Sequence, residues 1–209
     1  MRKVIITLLA LLAVATGNAQ FKIGLKVSPG LLHNRTYVTP DSIHVTDNGL
    51  KVTIPIGVFV DIPITDRYYI NTGINFIGKV SDLNYRIGNG PVSHEKIRMQ
   101  YLQVPLTFKL FTDEIAIDKK LYFQFGPAFE VLISKKGDPK KYIDEVQFGD
   151  ISFIFSGGID FKIGPNSAMC VGLSYNRGLL NIVKSSDTLH AEDFSVKNDM
   201  FLLEIGIKP

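Results

Sequence analysis

Leu121-Tyr122-Phe123-Gln124-Phe125-Gly126-Pro127-Ala128-Phe129-Glu130-Val131-Leu132-Ile133 is the stretch on which the fold turns. Leu121, Phe123, Phe125, Phe129, Val131 and Ile133 share one parity, and Gln124, Gly126, Ala128 and Glu130 share the other. A period of two with aromatic and β-branched residues on one side is the signal of a strand with two unlike faces. No helical reading fits it, because a helix would scatter the same residues around its circumference.

The same alternation recurs on both sides of this segment. Toward the N-terminus it appears in Phe21–Val27, Val52–Ile62, Ile70–Phe76 and Leu102–Leu110. Toward the C-terminus it appears in Ile151–Ile163, Met169–Tyr175 and Phe201–Ile207, which makes eight strands. The links alternate in length: His33–Lys51, Lys79–Ile97, Ser134–Gln147 and Leu179–Lys197 are long, while those at Pro63–Asp66, Thr112–Asp118 and Gly164–Asn166 are short. An even number of strands with short turns at one end and long loops at the other is the plan of an all-β, antiparallel, up-and-down transmembrane β-barrel, with turns in the periplasm and loops outside the cell.

Alternation alone does not say which face is inside. A soluble periplasmic lipocalin-like barrel turns its apolar face inward around a ligand, whereas a membrane barrel turns it outward to lipid. The second face here is rich in Gly, Ala, Ser, Asn and Gln, as a narrow eight-stranded lumen requires. Its charges nearly cancel. Lys22, Lys26, Lys109, Lys162 and Lys208 stand against Asp61, Glu130, Asp160 and Glu204, and are expected to form a lumen charge network because unpaired buried charge is prohibitive. Phe21, Tyr68, Tyr69, Phe111, Tyr122 and Phe161 fall near strand ends, where an aromatic girdle would lie. These features favour the membrane barrel.

The chain has 209 residues, 45% hydrophobic and 21% charged, with a single cysteine, Cys170. That composition excludes a disordered chain and a disulfide framework. Formal charge is +3, and Arg2 and Lys3 supply two of those charges, so no basic footprint for nucleic acid remains. Met1-Arg2-Lys3, the apolar run Val4–Ala15, and the small residues Gly17 and Ala19 predict a cleaved signal peptide over 1–19 and a barrel domain over 20–209. The run is too short to span a bilayer as a helix, which needs ~20 residues. Cys170 is expected as a small side chain within a strand.

Two motifs carry a family resemblance. Gln20-Phe21-Lys22-Ile23-Gly24-Leu25-Lys26 and Tyr101-Leu102-Gln103-Val104-Pro105-Leu106-Thr107-Phe108-Lys109, together with Gly126-Pro127 and Gly157-Gly158, resemble the PorT-like outer-membrane β-barrel family of Gram-negative bacteria. The resemblance implies an eight-stranded barrel integral to the outer membrane, one branch being associated with secretion and gliding machinery. It also implies engagement by the barrel-insertion machinery and, as partners, outer-membrane lipid, lipopolysaccharide and a secretion or envelope protein. The final Gly206-Ile207-Lys208-Pro209 departs from the terminal aromatic residue common to such barrels.

No constellation carries chemistry. His33, His44, His94 and His190 all fall in the long links. His190 with Glu192, Asp193 and Ser195, or His33 with Asp41 and Ser42, offers the residue types of a triad without the spacing that sets a nucleophile against a base. The sequence therefore predicts a non-enzymatic protein with no cofactor and no metal. A narrow channel or transport accessory is the alternative, although eight strands leave an interior filled by side chains. Lys135-Lys136-Gly137-Asp138-Pro139-Lys140-Lys141 is a basic run whose Lys135, Lys136, Lys140 and Lys141 are candidates to contact lipopolysaccharide or a partner. The same composition suits a solvated loop.

Overall fold

The computed structural model describes residues 21–39, 43–88, 90–137, 143–165, 167–185 and 193–208. The expected signal peptide, Lys140, Lys141 and His190 lie outside the described residues. Among the described residues thirteen strands follow one another: β1 Lys22–Val27, β2 Gly30–Thr39, β3 Ile43–Asp47, β4 Lys51–Thr53, β5 Ile56–Pro63, β6 Tyr68–Ile87, β7 Ser93–Ala116, β8 Lys119–Lys136, β9 Ile143–Val146, β10 Gly149–Lys162, β11 Ala168–Gly178, β12 Val183–Ser185 and β13 Asp193–Lys208.

Every pairing is antiparallel, and the sheet closes on itself where β1 joins β13. The walls number eight because β1 and β2 are one strand broken at Ser28-Pro29, and β4 and β5 one strand broken at Ile54-Pro55. The breaks lie side by side. Proline has no N–H to give the ladder, so Ser28 N–H donates to Pro55 O at 2.8 Å and Leu203 N–H to Pro29 O at 2.9 Å across the kink. Gly126, at φ 151°, lets β8 coil closely around the ring, for a Cβ there would lie 2.6 Å from Leu106 O.

The strands rise well beyond a bilayer-spanning length at the loop end. The link expected over Lys79–Ile97 is in fact β6 and β7 paired up to Tyr85↔Ser93, with a tight turn at Gly88, φ 54°. The link His33–Lys51 likewise holds most of β2 and all of β3, with β3 paired to β6 from Ile43↔Ile87 to Asp47↔Leu83. Strands β9 and β12 form a separate two-stranded sheet at the same end.

The chemistry of the two faces changes along β7. From Leu110 to Leu102 the even residues point outward and are apolar, while Lys109, Thr107 and Gln103 are buried. From Gln100 to His94 the even residues still point outward but are polar, and Tyr101, Met99 and Ile97 are buried. The same residues inside form one cluster with Leu83, Tyr85, Ile143, Val146, Ile182 and Val183. A polar-cored barrel in an apolar coat thus continues into an apolar-cored cap with a polar coat. The first suits lipid outside, the second water.

Candidate functional site

The lumen follows from the parity of each strand. At its centre Lys79 of β6 reaches Glu130 of β8 at 2.5 Å and Asp150 of β10 at 2.9 Å, all three side chains sealed from solvent. Glu130 also accepts from Gln103 Nε2 at 2.9 Å and Ser152 Oγ at 2.8 Å, and Gln103 accepts from Asn75 Nδ2 at 2.8 Å. Lys79 lies 5.0 Å from the centre of the Tyr101 ring. Two carboxylates converging on one ammonium leave a residual negative charge, which the two neutral donors offset.

A second network lies nearer the turn end. Asp61 bonds Lys109 at 3.2 Å and Asn71 Nδ2 at 2.6 Å, and stands 3.7 Å from Lys208, which also pairs with Asp160. Between the two networks Lys26 approaches Glu204 at 3.6 Å, and Ser156 Oγ donates to Glu204 at 2.6 Å. Of the nine expected lumen charges, Lys26, Asp61, Lys109, Glu130, Asp160, Glu204 and Lys208 are brought into these contacts. Lys22 and Lys162 are not. Lys22 is exposed at the mouth, 5.7 Å from the Tyr69 ring, and Lys162, the last residue of β10, is half-exposed on the rim against Glu114 at 3.4 Å and Asp118 at 3.8 Å.

Lys79 and Asp150 escape the sequence pattern because they lie on β6 and β10 just outside the alternating segments. The girdle also needs correction. Phe111 and Tyr122 point into the lumen with Phe59 and Cys170, and their rings lie 5.2 Å and 4.7 Å from Lys109 Nζ. An aromatic face beside a desolvated ammonium is attractive, and strand parity, not nearness to the strand end, sets the direction. Tyr68 does face outward and stacks on Phe108 at 5.6 Å.

Little space remains inside. Two cavities along the lumen, beside Lys26 and Glu204, measure about 20 Å³ and 10 Å³, room for a single water at most. A larger depression of about 570 Å³ opens at the turn end between Lys22, Tyr69, Phe111, Lys120 and Asp160. At the loop end, the cluster around Tyr85, Ile97 and Ile182 fills the bore.

Two carboxylates fasten the cap. Asp47 accepts from the Asn34 backbone N–H at 3.1 Å and from Asn34 Nδ2 at 2.9 Å, meets His33 Nδ1 at 2.9 Å, and pairs with Lys51. Asp82 meets His94 Nε2 at 2.6 Å, Lys96 Nζ at 2.9 Å and Asn48 Nδ2 at 3.2 Å. Burial pushes the Asp82 carboxyl up, but the hydrogen bonds from Lys96, His94 and Asn48 outweigh that and hold it below its ordinary value. Asp47 fills a need of the backbone: β2 and β3 share no ladder, so side chains close that seam. His33 thus turns to Asp47, while Asp41 and Ser42 lie outside the described residues. Lys135 and Lys136 end β8, exposed, with Lys136 across from Arg98 and Lys135 across from Met99.

A closed antiparallel ring with an apolar coat, a paired polar lumen and a tall loop end defines a membrane-type eight-stranded barrel. The comparisons agree. The family model of the outer membrane protein beta-barrel domain matches residues 16–184, and the chain belongs to that family. The fold resembles the outer membrane protein OprG from Pseudomonas aeruginosa, with a TM-score of 0.56 at 9% identity over 92% of this chain and 98% of that one. It also resembles Neisserial surface protein A (NspA), with a TM-score of 0.52 at 12% identity over 91% of this chain and 97% of that one. Among curated protein sequences no significant match was found.

Proposed function

We propose that this protein is a non-conducting, non-enzymatic outer-membrane barrel that works through its surfaces, with the turn end in the periplasm and the tall cap outside the cell. The observation that carries the reading is the sealed core at Lys79, Glu130 and Asp150, where the bore is occupied by bonded side chains, while the cavities beside Lys26 and Glu204 hold one water at most. A solute would have to break that cluster, and a buried ion pair deprived of a partner is strongly disfavoured. The apolar packing above it supports the same conclusion, since it closes the loop end with a second, chemically different layer.

The histidines support a binding role over catalysis. His33 and His94 each lean on a carboxylate already held by a lysine, an arrangement that fastens strands together. The cap is accordingly a rigid platform, suited to a secretion or envelope partner as the PorT-like resemblance implies. Single-channel recording of the full barrel in planar bilayers tests the reading. No discrete conductance steps are expected at neutral pH; reproducible steps that persist after repurification would replace this reading with the channel alternative.

A further inference from the structure

The lipid-facing wall has a notch in it. Along one rung of the ladder Phe125, Phe155, Tyr175 and Phe201 stand side by side on β8, β10, β11 and β13, with the Tyr175 and Phe201 rings stacked at 4.7 Å. One rung nearer the turn end, Gly157 takes the place between Phe123 and Leu173. The missing side chain leaves an outward groove of about 520 Å³ walled by these residues. Packing does not require a glycine there: a Cβ would meet Phe123 at 3.5 Å, an ordinary contact. Its neighbour Gly158 differs, since a Cβ would fall 2.3 Å from Val171 O.

One rung nearer the loop end than the aromatic row, the surface becomes cationic. Arg177 of β11 faces Asp199 of β13, and on the next rung Lys197 of β13 faces Arg35 of β2. Asp199 accepts from Arg35 Nη2 at 3.4 Å and from the Tyr175 hydroxyl at 3.2 Å. Arg35, which also donates to Gly178 O at 3.0 Å, is the cation bonded to this carboxylate; Arg177 stands across the ladder from it, and Lys197 and Arg35 are directly opposed. Like charges so placed are unfavourable unless an anion lies between them.

An apolar groove ending at a cluster of excess positive charge, at the level where the coat changes from apolar to polar, matches an amphiphile with an anionic head. We propose that this wall binds one lipopolysaccharide molecule of the outer leaflet, an acyl chain lying over Gly157 and a phosphate engaging Arg35, Arg177 and Lys197. Guanidinium forks match phosphate oxygens in pairs, which favours the two arginines for that contact. The inference rests on the proposed outward direction of the loop end, and it places the phosphate contact on β2, β11 and β13 and not at Lys135 and Lys136 of β8.

Native mass spectrometry of the full barrel, released from detergent and titrated with purified lipopolysaccharide against phosphatidylglycerol, tests it. The wild type should retain one lipopolysaccharide saturably. The Arg35→Gln/Arg177→Gln variant and the Gly157→Leu variant should each weaken retention at least tenfold, while Lys135→Gln/Lys136→Gln leaves it unchanged. Gly157→Leu removes no charge, so its effect separates a shaped site from general attraction, and Gly157→Ala serves if the leucine impairs folding. Unsaturable retention, equal retention of phosphatidylglycerol, an unchanged Gly157 variant, or loss only in the Lys135/Lys136 variant each overturns the proposal. Labelling a cysteine at Thr46 in intact cells, in a Cys170→Ser background, is the separate control. Labelling without saturable binding defeats the site alone; protection from an impermeant maleimide defeats the outward reading and the site with it.

Discussion

Lys79 shows how one residue joins the walls of the barrel. It stands on β6 and bonds carboxylates on β8 and β10, so its removal strips two buried acids of their shared cation. Lys79→Ala is expected to cost ~3–5 kcal/mol, the usual penalty for orphaning a buried charge. Lys162→Ala, at the half-exposed rim pair with Glu114, should stay within ~1 kcal/mol. Urea unfolding of both variants in lipid vesicles reads the contrast, and equal losses would contradict the sealed-lumen assignment. Asp82 supplies a pH dependence at the same scale. Its folded carboxyl is held below its ordinary value, so the clasp with Lys96, His94 and Asn48 contributes stability that is fully present above the ordinary carboxylate value of ~3.9 and is lost as pH falls through the lower folded value. Amide exchange in β3 and the upper part of β6 should therefore quicken in that acid window, and Asp82→Asn should abolish the effect. An unchanged acid profile in Asp82→Asn would remove the clasp from the account.

At the level of the strands, alternation was legible and its limits were not. Phe125 and Glu130 differ in parity on β8, and they stand respectively exposed and buried as that parity demands. Phe125→Arg should cost ~2–4 kcal/mol in a lipid bilayer, the price near its midplane, with Glu130→Gln milder because Gln103 and Ser152 remain as donors. A refolding equilibrium in vesicles measures both, and a harmless Phe125→Arg would mean that the aromatic face does not meet lipid. What the sequence concealed is the phase slip on β7. Apolar residues occupy even positions from Phe108 to Leu102 and odd positions from Tyr101 to Ile97. A slip of one residue looks like the end of a strand, so Lys79–Ile97 read as a loop although the ladder runs straight through it. Lys79 is hidden for that reason, Asp150 because it lies one residue before the alternation of β10 begins, and Phe111 and Tyr122 are misdirected because nearness to a strand end says nothing about facing.

For the whole molecule, the eight walls and their order were readable, because each depends only on period and spacing, whereas the expected long link Lys79–Ile97 is ladder closed by a tight turn. The inward-packed cap and the side-chain seam at Asp47 depend on contacts between residues far apart in the chain, which no local pattern encodes. The central claim is that one continuous ladder passes from lipid into water with its facing unchanged and its chemistry reversed. Spin labels placed one at a time at the outward positions 94, 96, 98, 100, 102, 104, 106 and 108 of β7, in a Cys170→Ser background and reconstituted in vesicles, test this directly. Collision with lipid-soluble oxygen should dominate from 108 to 102 and give way to collision with a water-soluble nickel chelate from 100 to 94. Nickel access throughout 102–108 would contradict the account, as would oxygen access continuing to 94.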